Sequence, residues 1–171
     1  MKIFLIGFMG CGKTTMGKKL AAKLGCPFFD LDQQIEAELG QTIATYFTEH
    51  GESAFRQLEN TKIKAFDYPN HAIIATGGGT PCYFDNIDWM NANGLTVYIN
   101  MPAQALAKRL EKGKARRPLL KGLDTPGLIH FIEQKLEERN PFYTQAKLSI
   151  PGIGLNAEVL KEQITGLNPL L

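Results

Sequence analysis

At 171 residues, the chain is long enough for one domain that buries most of the surface its unfolded form would expose. Its 44% hydrophobic and 21% charged residues exclude extended disorder and fibrous repeats as its general character. The net charge of +2 is too small for a general nucleic-acid binder, although residues 108–121 hold seven Lys or Arg and one Glu. Since no apolar run reaches the roughly 20 residues of a membrane helix, and none resembles a secretory signal, we expect a cytoplasmic monomer without membrane partners.

The predicted elements alternate along the chain. Five short apolar runs are typical of buried parallel strands, at residues 3–6, 28–29, 72–75, 95–99 and 147–150. Between them, apolar residues recur at helical spacing, and glycine or proline bounds several of these stretches. This alternation predicts a three-layer αβα fold around a five-stranded parallel sheet, in a single domain of residues 1–171. Residues 111–124 are charged and broken by two glycines and a proline, which predicts a loop.

A phosphate-binding loop follows the first predicted strand. Its pattern is Gly7-x-x-x-x-Gly12-Lys13-Thr14, between a strand and a helix. Glycines let main-chain N–H groups converge on phosphate oxygens, and the helix start adds its positive dipole end. Lys13 is expected to reach the β- and γ-phosphates, and the Thr14 hydroxyl to bind Mg²⁺. The sequence therefore predicts a nucleoside triphosphate site, whose ATP-binding residues are Gly10, Cys11, Gly12, Lys13, Thr14 and Thr15.

A GTP-dependent switch is disfavoured. Its guanine-reading Asn-Lys-x-Asp motif occurs nowhere in the sequence. An Asp-x-x-Gly occurs at Asp124–Gly127, but it follows the basic loop rather than a buried strand. We interpret it as a helix start, with Thr125 as N-cap and Pro126 at the first helical position.

Asp30 and Asp32 end the second predicted strand, where open parallel sheets bind ligands beyond their carboxyl edge. Alternation along the strand places both carboxylates on one side if the strand conformation persists. One would then hold hydrated Mg²⁺ and the other would orient or deprotonate a hydroxyl. The alternative is structural: Asp32 caps the next helix and Asp30 is a solvated strand end.

Arg56 lies on a predicted helix, four residues after Glu52 and three before Glu59. One interpretation is an exposed ladder of ion pairs worth a few tenths of a kcal/mol. The other is that Glu59 steadies a guanidinium that grips a substrate carboxylate in two places.

Three later segments also suit an acceptor site. Gly77–Gly79 follows the third strand, where side chains would exclude a ligand. Arg117, in the basic loop, could close over the site and neutralise developing charge while water is excluded. Arg139 comes two residues before Pro141, which is expected to end or kink its helix, so that Arg139 points into the cleft. Each arginine could instead be an ordinary solvated side chain.

Taken together, these residues resemble the shikimate kinase family. The matches are the phosphate loop, Asp-x-Asp, Gly-Glu-x-x-Phe-Arg-x-x-Glu at 51–59, the triple glycine, Arg-Pro-Leu-Leu at 117–120 and Arg-x-Pro-x-Tyr at 139–143. They span most of the chain in the family's order. The resemblance implies a P-loop kinase with a mobile lid near 111–124 that transfers the ATP γ-phosphoryl to the 3-hydroxyl of shikimate, with Mg²⁺.

The resemblance also implies residue roles. Lys13, Asp32 and Arg117 would be catalytic, and Thr14 and Asp30 would serve Mg²⁺. Shikimate would be bound by Asp32, Arg56, Gly78, Gly79 and Arg139, with both arginines on its carboxylate. Arg117 would also contact ATP, while Arg109 and Pro151 are approximate matches to the family's adenine contacts. Here the family pattern is broken, since Leu110 stands near the expected arginine.

Other kinases remain as alternatives. Gluconate-type kinases share the P-loop, the fold and a negatively charged acceptor. Nucleoside-monophosphate kinases need a base-recognition region between the second and third strands, which the triple glycine fits poorly. A non-catalytic nucleotide sensor would leave Asp32 and the lid without a role.

Overall fold

The computed structural model of the chain describes residues 1–111, 120 and 122–167. Within these residues, five strands are separated in sequence by one or two helices each, and a seventh helix follows the last strand. The strands are β1 Lys2–Ile6, β2 Phe28–Asp30, β3 Ala72–Ala75, β4 Gly94–Asn100 and β5 Leu148–Pro151. The helices are α1 Lys13–Leu24, α2 Leu31–Leu39, α3 Ile43–Ala65, α4 Asn86–Asn93, α5 Ala103–Glu111, α6 Thr125–Tyr143 and α7 Ala157–Leu167. A 3₁₀ turn spans Thr80–Cys82.

The sheet is parallel throughout, in the order β2-β3-β1-β4-β5. Alternate residues of β1 point to opposite faces. Ile3 and Leu5 join a core with α1 and α7, whereas Phe4 and Ile6 join a second core with α2, α3, α4 and α6. The predicted three-layer αβα fold is therefore confirmed.

The carboxyl ends of the strands meet at one edge of the sheet. The phosphate loop follows β1, Asp30 ends β2, and the triple glycine follows β3 after Thr76. Because β1 and β3 are neighbours, the phosphate loop and the triple glycine lie side by side. This arrangement creates a cleft of the kind in which open α/β sheets bind ligands.

The structure corrects two local predictions about α6. The helix continues through Pro141 to Tyr143, so Arg139 lies within a helix and not at a break. Only two helical residues follow the proline, and Phe142 and Tyr143 pack in the core, so tertiary packing outweighs the lost hydrogen bond. The N-cap is Asp124, whose carboxylate accepts from Gly127 N at 2.8 Å, and not Thr125.

Asp30 and Asp32 also differ from expectation. The strand conformation does not persist past Asp30, because α2 begins at Leu31. Asp30 is the N-cap of α2 and accepts from Gln33 N at 3.4 Å, while Asp32 lies in the first turn. Both carboxylates still face one cavity, but a strand-to-helix turn brings them there.

Most of the predicted lid, residues 111–124, lies outside the described residues, and so does Arg117. Of the described helices, none has both the length and the apolar character that a membrane span requires.

Candidate active site

The phosphate loop surrounds one end of a cavity of about 350 Å³. Gly10 and Gly12 have φ values of 81° and 106°, which side chains rarely adopt, so the loop conformation favours glycine at both positions. Among the described residues no side chain caps α1 at Gly12, which leaves the first N–H groups of the helix available to an anion. The Lys13 ammonium is buried and donates to the carbonyls of Gly7 at 2.7 Å and Phe8 at 3.1 Å. The loop thus gathers amides and one positive charge around a concave surface.

Residues 10–15 lie where the sequence predicts an ATP-binding loop. Gly10, Gly12, Lys13, Thr14 and Thr15 line the cavity. The side chain of Cys11 is buried in the neighbouring core, so Cys11 offers its backbone to the loop.

Two carboxylates face the loop across this cavity. The Thr14 hydroxyl donates to Asp30 Oδ2 at 2.7 Å, and Asp32 lines the same wall. Hard oxygen ligands of this kind suit Mg²⁺, which usually takes one or two carboxylates and completes its shell with phosphate and water.

Asp32 has a strongly shifted acidity. Burial, the Glu59 carboxylate and the Asp30 carboxylate together raise the pKa of Asp32 to about 6. The proximity of Glu59 is visible at Gly77, where an added Cβ would lie 2.8 Å from Glu59 Oε1 and 2.9 Å from Asp32 Oδ1. A carboxylate with this pKa is suited to accept a proton from a bound hydroxyl near neutral pH.

Arg56 is buried with 9% exposure, which contradicts the exposed ion-pair ladder. Its Nη1 donates to Glu59 Oε2 at 2.8 Å, and its Nη2 donates to Glu52 Oε1 at 3.0 Å. Burial alone would lower the pKa of Arg56, but Glu59 and Glu52 outweigh it and raise the pKa above its ordinary value. The guanidinium is therefore a fixed positive charge with a fixed orientation.

Residues of the core and of the triple glycine also hold Arg56 in place. Glu59 is fully buried and also accepts a hydrogen bond from the Thr80 hydroxyl. The Tyr83 ring lies 4.6 Å from Arg56 Cζ, within cation–π range. An added Cβ at Gly79 would lie 2.6 Å from Arg56 Nη2, so any side chain there would displace the guanidinium.

Arg139 meets Arg56 in a second cavity of about 340 Å³. The Arg139 guanidinium lies over the ring of Phe8, with Cζ 5.4 Å from the ring centroid. Met9 lines both cavities, and Gly78 lines the first one, where an added Cβ would lie 3.4 Å from Arg139 Nη1. The two cavities therefore adjoin, with the phosphate loop and the triple glycine between them.

The predicted adenine contacts, Arg109 and Pro151, line two cavities that share Ile153 and Gly154. Arg109 Nη1 donates to the Cys11 carbonyl at 3.0 Å, and Arg109 lines a third cavity with Ile153 and Gly154. Pro151 lies on the edge strand and lines a different cavity. Leu110 is buried, with its side chain 2.9 Å from the position of an added Gly10 Cβ, so it is a packing residue.

Sequence reasoning missed several residues of the second cavity. Tyr83 and Cys82 line it but occur in a segment without a recognisable motif, and Phe8, which supports Arg139, stands at a variable position of the phosphate loop. Burial raises the pKa of the Cys82 thiol to about 11, so this thiol stays neutral. The one available signal is that Phe8 is a large apolar residue inside a glycine-rich loop.

Comparison with known proteins identifies the family. The family model described as shikimate kinase matches residues 9–166. The chain is 47% identical to the shikimate kinase of Parabacteroides distasonis over 148 residues, which is 86% of each chain. The chain belongs to the shikimate kinase family.

Two solved shikimate kinase structures share its fold. The enzyme from Bacteroides thetaiotaomicron is 41% identical, with a TM-score of 0.89 over 98% of this chain and 97% of that one. The enzyme from Acinetobacter baumannii, in complex with shikimate, is 31% identical, with a TM-score of 0.80 over 97% of this chain and 91% of that one. Membership of the shikimate kinase family confirms the resemblance seen in the sequence and disfavours the gluconate-type alternative.

Proposed function

We propose that this chain transfers the γ-phosphoryl of ATP to the 3-hydroxyl of shikimate, giving shikimate 3-phosphate and ADP, a step in aromatic amino-acid synthesis. The observation that carries the proposal is the pair of adjoining cavities. One holds amides, an ammonium and two carboxylates, and the other holds two guanidinium groups. A polyanionic donor fits the first cavity and a monoanionic cyclic alcohol fits the second.

At the donor end, the phosphate-loop amides and Lys13 would bind the ATP phosphates. In the structure, the Lys13 ammonium is held by two loop carbonyls, so it is already beside the cavity. Fixed donors of this type stabilise charge that develops during phosphoryl transfer without reorganising in the reaction.

Thr14 and Asp30 would hold Mg²⁺. Their oxygens already form a pair at 2.7 Å beside the phosphate loop, and the donor set is hard oxygen throughout. When bound, the ion supplies neutralisation of charge on the ATP phosphates.

At the acceptor end, Arg56 and Arg139 would hold the shikimate carboxylate, with Gly78 and Gly79 forming the wall beside them. Asp32, which lines the first cavity, would orient the reacting hydroxyl and accept its proton. Its raised pKa suits this task, because the carboxylate is ionised at neutral pH yet basic enough to take a proton. We also propose that Arg117 approaches the phosphates from the lid.

A substrate comparison tests the proposal. Purified protein is incubated with ATP, Mg²⁺ and one of shikimate, gluconate or AMP, and ADP formation is measured. We expect turnover with shikimate alone. Turnover with gluconate or AMP, or no turnover with shikimate, would contradict the proposal.

A further inference from the structure

Tyr143 is a buried tyrosine at the end of α6, one helical turn after Arg139. Its ring stacks on that of Tyr98, with centroids 5.0 Å apart and an interplanar angle of 30°. Phenylalanine would provide the same packing. The hydroxyl therefore requires an explanation of its own.

The hydroxyl bonds directly to one residue of the proposed acceptor site. It donates to the Gly78 carbonyl at 2.5 Å, and Arg139 lies one helical turn before Tyr143 on the same helix. Burial raises the pKa of Tyr143 above its ordinary value, so the phenol keeps the proton that it donates to Gly78. One oxygen atom thus connects α6 with the triple glycine.

Arg139 is held from other directions as well. The Phe8 ring supports its guanidinium, and an added Cβ at Gly78 would lie 3.4 Å from Arg139 Nη1. The same Cβ would lie 3.2 Å from Met9 N, so Gly78 passes between the phosphate loop and Arg139. A shift of α6 relative to the triple glycine would therefore move Arg139 within the cavity.

We propose that Tyr143 is a positioning residue of the acceptor site, whose hydroxyl joins α6 to Gly78 so that Arg139 and Gly78 meet the acceptor in one arrangement. The inference rests on the proposed function, because it takes Arg139 and Gly78 as shikimate contacts. Tyr143 is buried and acts through these two residues.

Tyr143→Phe removes the hydroxyl and keeps the ring. We expect the KM for shikimate to rise about tenfold, while the KM for ATP stays within about twofold and kcat falls less than about threefold. The split between the two KM values separates positioning from a general loss of stability, which would affect both substrates.

Tyr68→Phe is the matched control. Tyr68 is also buried, at 3% exposure, and its hydroxyl donates to Gln34 Oε1 at 2.9 Å, away from both cavities. We expect both variants to lose thermal stability, and only Tyr143→Phe to change the KM for shikimate. In an Arg139→Ala background, Tyr143→Phe should raise the KM for shikimate by less than about twofold more. The reason is that Arg139, through which the Tyr143 hydroxyl affects the acceptor, is then absent.

If Tyr143→Phe does not accumulate as folded protein, Phe8→Leu examines the same placement of Arg139 from its other side. We expect it to raise the KM for shikimate about threefold, because a flat aromatic support for the cation is lost. Ile132→Val, in the same buried cluster on α6, is its control. An unchanged KM for shikimate in Phe8→Leu would overturn the claim that the held position of Arg139 sets acceptor binding.

The outcomes are distinguishable. Wild-type turnover of shikimate, together with an unchanged KM in Tyr143→Phe or an equal rise for both substrates, overturns this inference alone. A wild-type protein that does not phosphorylate shikimate overturns the proposed function and the inference with it. A selective rise in the KM for shikimate supports both.

Discussion

The donor and acceptor ends of the cleft are built in different ways. The donor end is one continuous stretch, residues 7–15, which presents backbone amides and the Lys13 ammonium. The acceptor end combines Arg56 from α3, Gly78 after β3 and Arg139 from α6. The buried Glu59 carboxylate and the Tyr83 ring fix Arg56, and the Phe8 ring supports Arg139. Glycine at positions 78 and 79 leaves room for the two guanidinium groups.

This difference reflects the ligands that we propose for each end. A phosphate chain carries many negatively charged oxygens, so the backbone amides of one continuous loop can bind it with little help from distant side chains. A cyclic alcohol with one carboxylate must present one hydroxyl to the donor, which requires rigid guanidinium forks. Damage at the donor end should therefore abolish turnover, whereas damage at the acceptor end should raise the requirement for shikimate.

The largest expected effect comes from Lys13→Ala at the donor end. We expect kcat to fall about a thousandfold or more, because the positive charge beside the transferring phosphoryl is lost. Circular dichroism and thermal unfolding should show a folded protein. Lys19→Ala, an exposed lysine on the same helix, is the control and should retain full activity. If Lys13→Ala kept more than about a tenth of wild-type kcat, the donor end would not be a phosphate loop in function.

Asp32→Asn tests whether the Asp32 carboxylate accepts the proton of the acceptor hydroxyl. We expect kcat/KM for shikimate to fall about a hundredfold, in the range of lost general-base catalysis. Since the pKa of Asp32 is about 6, the wild-type profile should fall about tenfold per pH unit below that value, and the variant should lack this limb. The pH dependence of kcat/KM measures it. A wild-type profile that stays flat down to pH of about 5 would exclude Asp32 as the titrating group.

The same variant has an expected effect on stability. The folded-state pKa of Asp32, about 6, lies above the ordinary value of an unfolded aspartate, so ionising it costs stability as the pH rises through 6. We expect Asp32→Asn to raise the free energy of unfolding at pH 7 by on the order of 1–3 kcal/mol, with the gain absent near pH 4. Denaturant unfolding at the two pH values provides the measurement. If Asp32→Asn were no more stable than wild type at pH 7, the ionised Asp32 carboxylate would not be destabilised by burial and by its neighbours.

Arg56→Ala sharpens the contrast at the acceptor end. The substitution removes a positive charge that we propose binds the shikimate carboxylate. We therefore expect the KM for shikimate to rise about a hundredfold with the KM for ATP unchanged. Arg56→Lys should recover little of this loss, because an ammonium cannot copy the fork. Steady-state kinetics with each substrate varied in turn gives both values. A normal shikimate response in Arg56→Ala would refute the assignment of the acceptor end.

Gly79→Ala should have a smaller effect in the same direction. Its Cβ would collide with the Arg56 guanidinium and displace it, and we expect the KM for shikimate to rise about tenfold. Gly166→Ala is the control, since nothing lies within 4 Å of its added Cβ. Equal kinetics for these two variants would mean that Arg56 can move without consequence for the acceptor.

The sequence predicts the donor end more completely than the acceptor end, for a physical reason. Residues 7–15 act locally, so their spacing alone indicates their chemistry, and the apolar runs around them predict the strands that carry them. The contact of Phe8 with Arg139 and that of Tyr143 with Gly78 join residues 131 and 65 positions apart, respectively. No local pattern indicates such pairs before the fold is known.

At Pro141, a local sequence rule gave a prediction that the tertiary structure overrides. A local rule predicted a break in the helix, but burial of the following residues keeps α6 intact to Tyr143. The proximity of Asp32 and Glu59 was also not predicted, because it depends on how closely the backbone passes at Gly77. The predictions of a single domain, a monomer and a cytoplasmic location stay predictions, as do those that concern Arg117 and the lid.

A crystal structure with shikimate and a non-hydrolysable ATP analogue tests the central claim most directly. The account predicts the ring carboxylate within about 3 Å of both the Arg56 and the Arg139 guanidinium groups, and the 3-hydroxyl beside Asp32. Shikimate bound elsewhere, with both arginines facing solvent, would contradict it.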